Sequence, residues 1–244
     1  MAVESDRPAF YALRTGGWRD YVTLLHLPYT AWHLSYVAIG AALAPGFEVS
    51  RLLPLLAAFF LAVGIGAHAL DELNGRPLGT RIPRVLLMGG AGASIAGAAA
   101  IGIFGALTVS GWIAAFVAIG VFIVVAYNLE LVGGRFHGDL WFAAAWGAFP
   151  VLTAYFAVAE TLTLVALLAA LFALALSLAQ RQLSTWVRDL RRRTDRISGT
   201  VERADGSAEH VTKEALLRPA ESALRALTAA TVALAAALVT MRLA

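Results

Sequence analysis

Long runs of apolar residues, separated by short polar segments, make up most of the chain. From Leu52 to Ala67, for example, no side chain is ionisable. An α-helix rises by about 1.5 Å per residue, so a run of about 20 apolar residues crosses the hydrocarbon core of a bilayer. The pattern predicts seven membrane-spanning helices, at roughly residues 21–44, 52–73, 85–107, 111–131, 138–158, 160–182 and 216–241.

We therefore expect an all-α fold, a polytopic transmembrane helical bundle that forms a single domain over residues 1–244. Segment 183–215 is the exception, since it is polar and is predicted to be a charged helix and loop outside the membrane. If the N-terminus is cytoplasmic, 17 of the 19 Lys and Arg residues (all except Arg51 and Arg242) fall on the cytoplasmic side. This bias predicts an N-terminus inside, a C-terminus outside and residence in the cell inner membrane.

Composition excludes several classes of protein. Hydrophobic residues make up 59% of the chain and charged residues only 14%, whereas about a quarter of the residues in a soluble domain are charged. There is no cysteine, which excludes disulfides and thiolate metal sites. The basic residues lie beside the predicted bilayer without a recognisable binding module, so we expect lipids and no nucleic acid as partners.

The second predicted span ends in a group of polar side chains. His68, Asp71 and Glu72 fall at positions i, i+3 and i+4, which predicts that they project from one helix face. Asn74-Gly75 then ends the helix. The carboxylate oxygens of Asp71 and Glu72 suit a divalent cation. Arginines follow in the loop and suit an anionic ligand.

Two more spans end at the same level. Tyr127, Asn128 and Glu130 close the fourth span, and the sixth continues into a basic helix interrupted by carboxylates. That basic run would anchor lipid headgroups or bind the phosphates of a substrate. The first span carries His26 and His33 on one face, which predicts either a cavity lining or hydrogen bonds between helices. Pro28 and Pro150 are expected to kink their helices.

Three stretches together resemble the UbiA superfamily of membrane prenyltransferases. They are DELNGRPLGTRIP from Asp71, the run from Asp189 to Gly199, and FAAAWGAFPVLTAYF in the fifth span. The chain resembles a divergent, shortened member over roughly residues 20–240. His68 and Arg192 stand where the family has Asp, and Gly75 lies near a third Asp position. The family usually has eight or nine spans, against seven predicted here.

The resemblance implies Mg²⁺-dependent transfer of an isoprenoid chain from a prenyl diphosphate to an acceptor at the cytoplasmic face. The implied catalytic residues are Asp71, Glu72, Tyr127 and Asp189. The implied substrate-binding residues are Arg76, Arg81, Arg135, Arg188, Arg192 and Asn128. The expected metal ligands are His68, Asp71, Glu72, Glu130, Asp189 and Asp195.

Two alternatives stay open from the sequence. The altered acidic motifs also fit a catalytically degenerate protein that binds a polyprenyl lipid or supports a membrane complex. A metal-dependent membrane enzyme of another class is the second alternative. Its mixed ligands would be His68, Asp71, Glu72, Glu130 and His137, a set that favours iron, manganese or zinc over Mg²⁺.

Overall fold

The computed structural model describes residues 7–244 and is mainly helical, which confirms the expected helical class. Residues 1–6, which the sequence prediction includes in the same domain, lie outside the described residues. Apart from the four-residue helical turn Leu131–Gly134, the helices are α1 (Trp18–Leu24), α2 (Leu27–Leu43), α3 (Val49–Leu73), α4 (Arg84–Thr108), α5 (Ile113–Asn128), α6 (Asp139–Ala159), α7 (Leu164–Arg193) and α8 (Lys213–Leu243). An antiparallel hairpin of β1 (Thr200–Glu202) and β2 (Ala208–His210) joins α7 to α8.

Within residues 7–244, five helices are long and apolar enough to cross a membrane: α3, α4, α6, α7 and α8. Helix α5 is also apolar but shorter, with 16 residues. Much of the apolar surface faces outward, most clearly on α4, where Val85, Phe104 and Leu107 are exposed. Such a surface suits a bilayer and not water. The structure is that of an integral membrane protein.

The first predicted span, 21–44, is two helices in the structure. Helix α1 ends at Leu24 and α2 begins at Leu27, with His26 between them in the left-handed region (φ 45°, ψ 48°). Pro28 explains the break, because it has no N–H to donate to the Leu24 carbonyl and its ring would collide with that turn. The proline therefore separates two helices instead of kinking one, and it leaves His26 in a strained backbone conformation.

Helix α2 lies at the centre of the bundle and packs against α6, α7 and α8. Trp32 and Tyr36 are fully buried there, and the Trp32 Nε1–H donates to the Tyr36 hydroxyl at 2.7 Å. Backbones approach closely at Gly40, where an added Cβ would overlap the Val151 carbonyl oxygen. This tight contact fixes the position of α2, and with it the polar side chains at its N-terminal end.

Two of the helices contain π-helical segments, Phe60–Ala67 in α3 and Ala144–Ala148 in α6. The second lies just before Pro150, so the irregularity that the sequence predicts there takes this form. Pro150 cannot donate a backbone hydrogen bond to the Trp146 carbonyl four residues earlier. That carbonyl instead accepts from His33 Nδ1 at 2.8 Å. The proline thereby links α6 to α2.

The two ends of the bundle differ in charge. At one end Arg51 donates to the carbonyls of Ala157 and Val158, and Arg242 donates to those of Ala42 and Ala44. Each of these arginines caps the last carbonyls of a neighbouring helix. The other basic side chains of the described residues belong to segments near the opposite end, where the polar ends of α3, α5 and α7 also lie.

Gly147 provides a test of this packing. An added Cβ would lie 2.6 Å from both the Ala173 carbonyl oxygen and Ser177 Oγ. We expect Gly147→Ala to lower the free energy of unfolding by about 1–3 kcal/mol through overpacking of α6 against α7. Unfolding of the detergent-solubilised protein would measure this. Gly92→Ala is the matched control, since that position has nothing within 4 Å. Equal stability of the two variants would contradict the packing.

Candidate functional site

A cavity of ≈ 910 Å³ lies at the polar end of the bundle. Its walls come from the first turns of α2, the end of α3, the end of α5, the start of α6 and the second half of α7. Tyr11, which precedes α1, adds a side chain from the N-terminal segment. The helix ends that the sequence analysis expected to share one face therefore surround one space.

Eight of the predicted site residues line this cavity. They are His68, Asp71, Tyr127, Asn128, Glu130, Arg188, Asp189 and Arg192. Helices α3, α5 and α7 contribute all of them except Glu130, which follows α5, so Asp71 of α3 and Asp189 of α7 face the same space despite their distance in sequence. Asn128 is partly committed to its own helix, because its Nδ2 donates to the Val124 carbonyl at 2.7 Å.

Glu72 does not share the face of Asp71, contrary to the prediction. It is fully buried, and its Oε1 accepts from the backbone N–H and the hydroxyl of Thr80, both at 2.8 Å. Its Oε2 accepts from the Leu78 N–H at 3.0 Å. Adjacent helical residues point about 100° apart, so Asp71 can face the cavity while Glu72 holds the loop. Glu72 is a structural residue and is not free to bind a metal or substrate.

Four other predicted residues also lie away from the cavity. Arg76 holds the loop, since its guanidinium donates to the carbonyls of Thr80 at 2.6 Å and Ile82 at 3.0 Å. Arg81 contributes its backbone N–H to the buried Asp20 carboxylate at 2.8 Å, and its side chain is exposed. Arg135 and Asp195 are exposed as well, the latter beyond the end of α7. Their predicted roles at this site are not supported by their positions.

Arginines of α7 form a positive wall of the cavity. Arg188 donates to the hydroxyls of Thr185 at 2.8 Å and Ser184 at 3.4 Å, and Arg192 donates to the Pro8 carbonyl at 3.1 Å. Among the described residues, neither guanidinium has a carboxylate oxygen within 4.0 Å. A partly buried cation without a counter-charge is costly, so this wall suits an anionic ligand.

The facing wall is built from histidine and tyrosine rings. His26 and His68 stack with centroids 4.0 Å apart, and Tyr127 and His137 stack at 4.4 Å. The Tyr11 hydroxyl is hydrogen-bonded to His26 Nδ1 at 2.9 Å. Burial, together with the nearby Tyr29, raises the pKa of Tyr11 well above its usual value, so the hydroxyl keeps its proton.

Three buried polar atoms on the cavity walls have no hydrogen-bond partner among the described residues. They are His26 Nε2, Tyr127 Oη and Gln180 Oε1. Buried polar groups are nearly always paired, and an unpaired one costs free energy. These atoms come from α5, α7 and the joint between α1 and α2, and all border the same space, so a bound ligand or water that fills the cavity would satisfy them together.

A second, apolar crevice of ≈ 100 Å³ lies between α3, α4, α5 and α6. Its walls are alanine, glycine, valine, isoleucine, leucine and aromatic side chains, with Thr153 as the polar exception. Val63 and Trp146 line both this crevice and the polar cavity. Each belongs to one of the two π-helical segments, and such segments are frequent at functional sites. The two spaces therefore adjoin at these two residues.

The side chains present do not make a closed metal site. Within residues 7–244, no three His, Asp or Glu side chains converge on a point that a metal ion could occupy. Glu72 and Asp195 are placed elsewhere, which leaves Asp71 and Asp189 as carboxylates from the predicted acidic motifs on the cavity wall. The donor set therefore does not fit a site with several metal ions, and positive charge at the cavity comes from arginine.

Several cavity residues were missed by sequence reasoning. Tyr11 lies before the first helix, and no local pattern indicates that it packs into the bundle. Gln180 and Arg181 were included in the sixth apolar span, although the polar stretch Gln180–Gln182 was a signal that this helix meets a polar space. Trp146 was not singled out either. Pro150, four residues later, was the available indication that its carbonyl would be free.

Comparison with known proteins leaves the motif resemblance without independent support. No protein-family model matches the chain, and no curated protein or solved structure matches it. The similarity to the UbiA superfamily therefore depends on the quoted motifs alone.

The different roles of two adjacent carboxylates can be tested through stability. Glu72→Gln would place an amide N–H against backbone donors of the loop, and we expect a loss of about 1–3 kcal/mol in the free energy of unfolding. Asp71→Asn removes no hydrogen bond that the structure records, so we expect a change of less than about 1 kcal/mol. Thermal unfolding in detergent would measure both. The reverse order of effects would contradict the assignment of Glu72 to the loop.

Proposed function

We propose that this protein is a UbiA-like integral membrane prenyltransferase, which transfers an isoprenoid chain from a prenyl diphosphate to an acceptor. One observation carries the proposal: a polar cavity adjoins an apolar crevice at Val63 and Trp146, and two arginines on its wall have no carboxylate partner among the described residues. A ligand with an anionic head and a hydrocarbon chain matches both spaces at once. The motif resemblance supplies the reaction class.

The diphosphate head is assigned to the arginine wall. Guanidinium groups bind phosphate oxygens with paired, charge-assisted hydrogen bonds. Arg188 and Arg192 are one helical turn apart on α7, so one headgroup can contact both side chains. The Gln180 side chain, whose Oε1 has no partner among the described residues, lies two turns before Arg188 on the same helix and borders the same cavity.

The part of the isoprenoid chain next to the head is assigned to the apolar crevice, whose ≈ 100 Å³ holds only a short hydrocarbon segment. Its walls bury hydrocarbon without providing competing hydrogen bonds, since Thr153 is the polar exception among the lining residues. Burial of each methylene group stabilises binding by about 0.8 kcal/mol. The two π-helical segments at the junction place Val63 and Trp146 where the head would join the chain.

Transfer of the isoprenoid chain uses the arginines on the diphosphate side of the reacting carbon and a carboxylate on the acceptor side. The allylic C–O bond breaks, and its electron pair leaves with the diphosphate, whose developing charge Arg188 and Arg192 stabilise. The acceptor forms a bond to that carbon and loses a proton. Asp71, the carboxylate of α3 on the cavity wall, is assigned as the base that takes it. No step requires Glu72.

The same proposal includes seven crossings of the membrane, with α2 and α5 spanning beside the five longer helices. It places the cavity on the cytoplasmic side of the cell inner membrane, with the N-terminus inside and the C-terminus outside. The support is the charge asymmetry of the two ends, where Arg51 and Arg242 are separated from the other basic residues.

A catalytically degenerate lipid-binding protein is the second candidate. The observation that favours it is the placement of Glu72, because the loop hydrogen bonds remove one carboxylate from the acidic motif. Such a protein would bind the same amphipathic lipid without turnover. The other alternative, a histidine and carboxylate metal enzyme, gains no support from the described residues, where its predicted ligands do not converge.

Binding of the head can be tested with a matched pair of arginines. We expect Arg188→Gln to weaken binding of geranylgeranyl diphosphate by about tenfold or more, since a charge-assisted hydrogen bond contributes about 1.5–3 kcal/mol. Arg135→Gln removes an equal charge at an exposed position outside the cavity and should leave the affinity unchanged. The measurement is a titration of protein in nanodiscs.

The titration is repeated with a chelator, because arginine recognition of the head predicts that binding persists without divalent cations. Equal losses in the two arginine variants would contradict the proposed site. A complete loss of binding with chelator would show that the head is held by metal instead of arginine.

Turnover separates the two candidate functions. We expect Asp71→Asn to reduce release of diphosphate from the prenyl donor by about 10²-fold or more, the usual contribution of a general base, with little change in donor affinity. The assay uses the intact protein with a panel of donors and acceptors. Donor binding without any diphosphate release from the unaltered protein would favour the non-catalytic candidate.

A further inference from the structure

Four histidines line the polar cavity, and in three of them one ring nitrogen is bound by a backbone carbonyl. His33 Nδ1 contacts the Trp146 carbonyl at 2.8 Å, His68 Nδ1 contacts that of Gly64 at 3.2 Å, and His137 Nδ1 contacts that of Tyr127 at 3.0 Å. A carbonyl only accepts hydrogen bonds. The proton must therefore be on Nδ1 in each ring.

In an uncharged ring with its proton on Nδ1, the other nitrogen is an acceptor. Among the described residues, no carboxylate lies within 4.0 Å of these histidines that could accept a hydrogen bond from a second ring N–H. Within residues 7–244, the hydrogen bonds of these three rings are made by Nδ1, which leaves Nε2 of His33, His68 and His137 without a partner there. The cavity thus presents several acceptor nitrogens opposite the arginine wall.

The fold fixes the orientation of these histidine rings, so that they do not rotate freely. The Trp146 carbonyl is free because Pro150 cannot donate to it, and the Tyr127 carbonyl belongs to the last turn of α5. Stacking of His68 on His26 and of His137 on Tyr127 fixes the ring planes. Histidine rings that are fixed in position and in tautomer present their acceptor nitrogens in one arrangement, which suits a ligand whose hydrogen-bond donors have a matching arrangement.

We infer that the histidine wall binds a hydroxyl-bearing phosphate ester, a phosphorylated polyol or sugar, whose phosphate contacts the arginines while its hydroxyl groups donate to histidine Nε2. The inference rests on the proposed function and names the chemical class of its second, hydrophilic substrate. The geometry carries it: donors for phosphate oxygens lie on α7, and acceptors for hydroxyls lie on α2, α3 and the segment before α6. A cavity of ≈ 910 Å³ has room for such a molecule beside a diphosphate head.

The experiment compares two probes, glycerol 3-phosphate and inorganic phosphate, on the intact protein in nanodiscs. Trp146 and Trp186 line the cavity, so tryptophan fluorescence reports occupancy. We expect glycerol 3-phosphate to bind about tenfold more tightly than phosphate, because each added hydroxyl hydrogen bond contributes about 1 kcal/mol. Arg188→Gln should weaken binding of both probes.

Two substitutions of His68 isolate the acceptor nitrogen. His68→Asn keeps an N–H near the position of Nδ1 and removes Nε2, so the preference for glycerol 3-phosphate should fall about fivefold. His68→Gln places a polar group near the position of Nε2 and should retain more of the preference. His210→Asn is the control, because His210 lies in the hairpin outside the cavity. Unchanged affinity for inorganic phosphate would show that each variant is folded.

The outcomes of these experiments distinguish failure of the hydroxyl site from failure of the anion site on which the proposed function depends. Equal affinity for the two probes, together with a loss of phosphate binding in Arg188→Gln, would overturn the hydroxyl site and leave the anion site standing. A preference that His68→Asn leaves intact would also overturn it. Phosphate binding that is absent, or that Arg188→Gln does not affect, would overturn the anion site and the inference together.

Discussion

The carboxylate of Glu72 is the contact on which the polar end of the bundle depends. It accepts three hydrogen bonds from the loop that follows α3, and Asp20 of α1 accepts from the same loop through the Arg81 N–H. Two buried acids thus fold the loop back onto the bundle. With that loop in place, the last turn of α3 is held so that His68 and Asp71, and not Glu72, face the cavity.

The site is made from backbone groups that helices cannot satisfy internally. Helix ends and the proline of α6 leave carbonyls without their usual partners, and histidine side chains occupy those of Trp146 and Tyr127. Hydrogen bonding that stabilises the packing therefore also sets the chemistry of the cavity wall. On α7 the same helix supplies apolar packing along its first half and positive charge along its second.

Much of this arrangement could be predicted from the sequence, because apolar length and charge asymmetry are properties of the chain alone. Six of the seven predicted runs coincide with single helices, the exception being the first, and Asp71, Tyr127 and Arg188 were placed near helix ends that do meet. The role of Glu72 could not be predicted, since spacing along a helix does not show which face a loop will cover. The contribution of Tyr11 depends on tertiary packing and left no local signal.

The break in the first predicted span, at His26, is a second feature that the sequence could not predict. Pro28 marked an irregularity, but hydropathy alone could not decide between a bent helix and two separate ones. The structure shows two helices and puts an imidazole at the joint, in a left-handed conformation that favours glycine. Its Nε2 borders the cavity and has no partner among the described residues, so the strained residue is also one that a ligand can contact.

The π-helical segment of α3 determines which side chains of its last turns face the cavity. A π segment is equivalent to one extra residue within an α-helix, and one residue corresponds to a rotation of about 100°. Phe60–Ala67 lies before His68 and Asp71 along α3. Without that extra residue, the rest of α3 would be turned by about 100° and a different set of side chains would face the cavity.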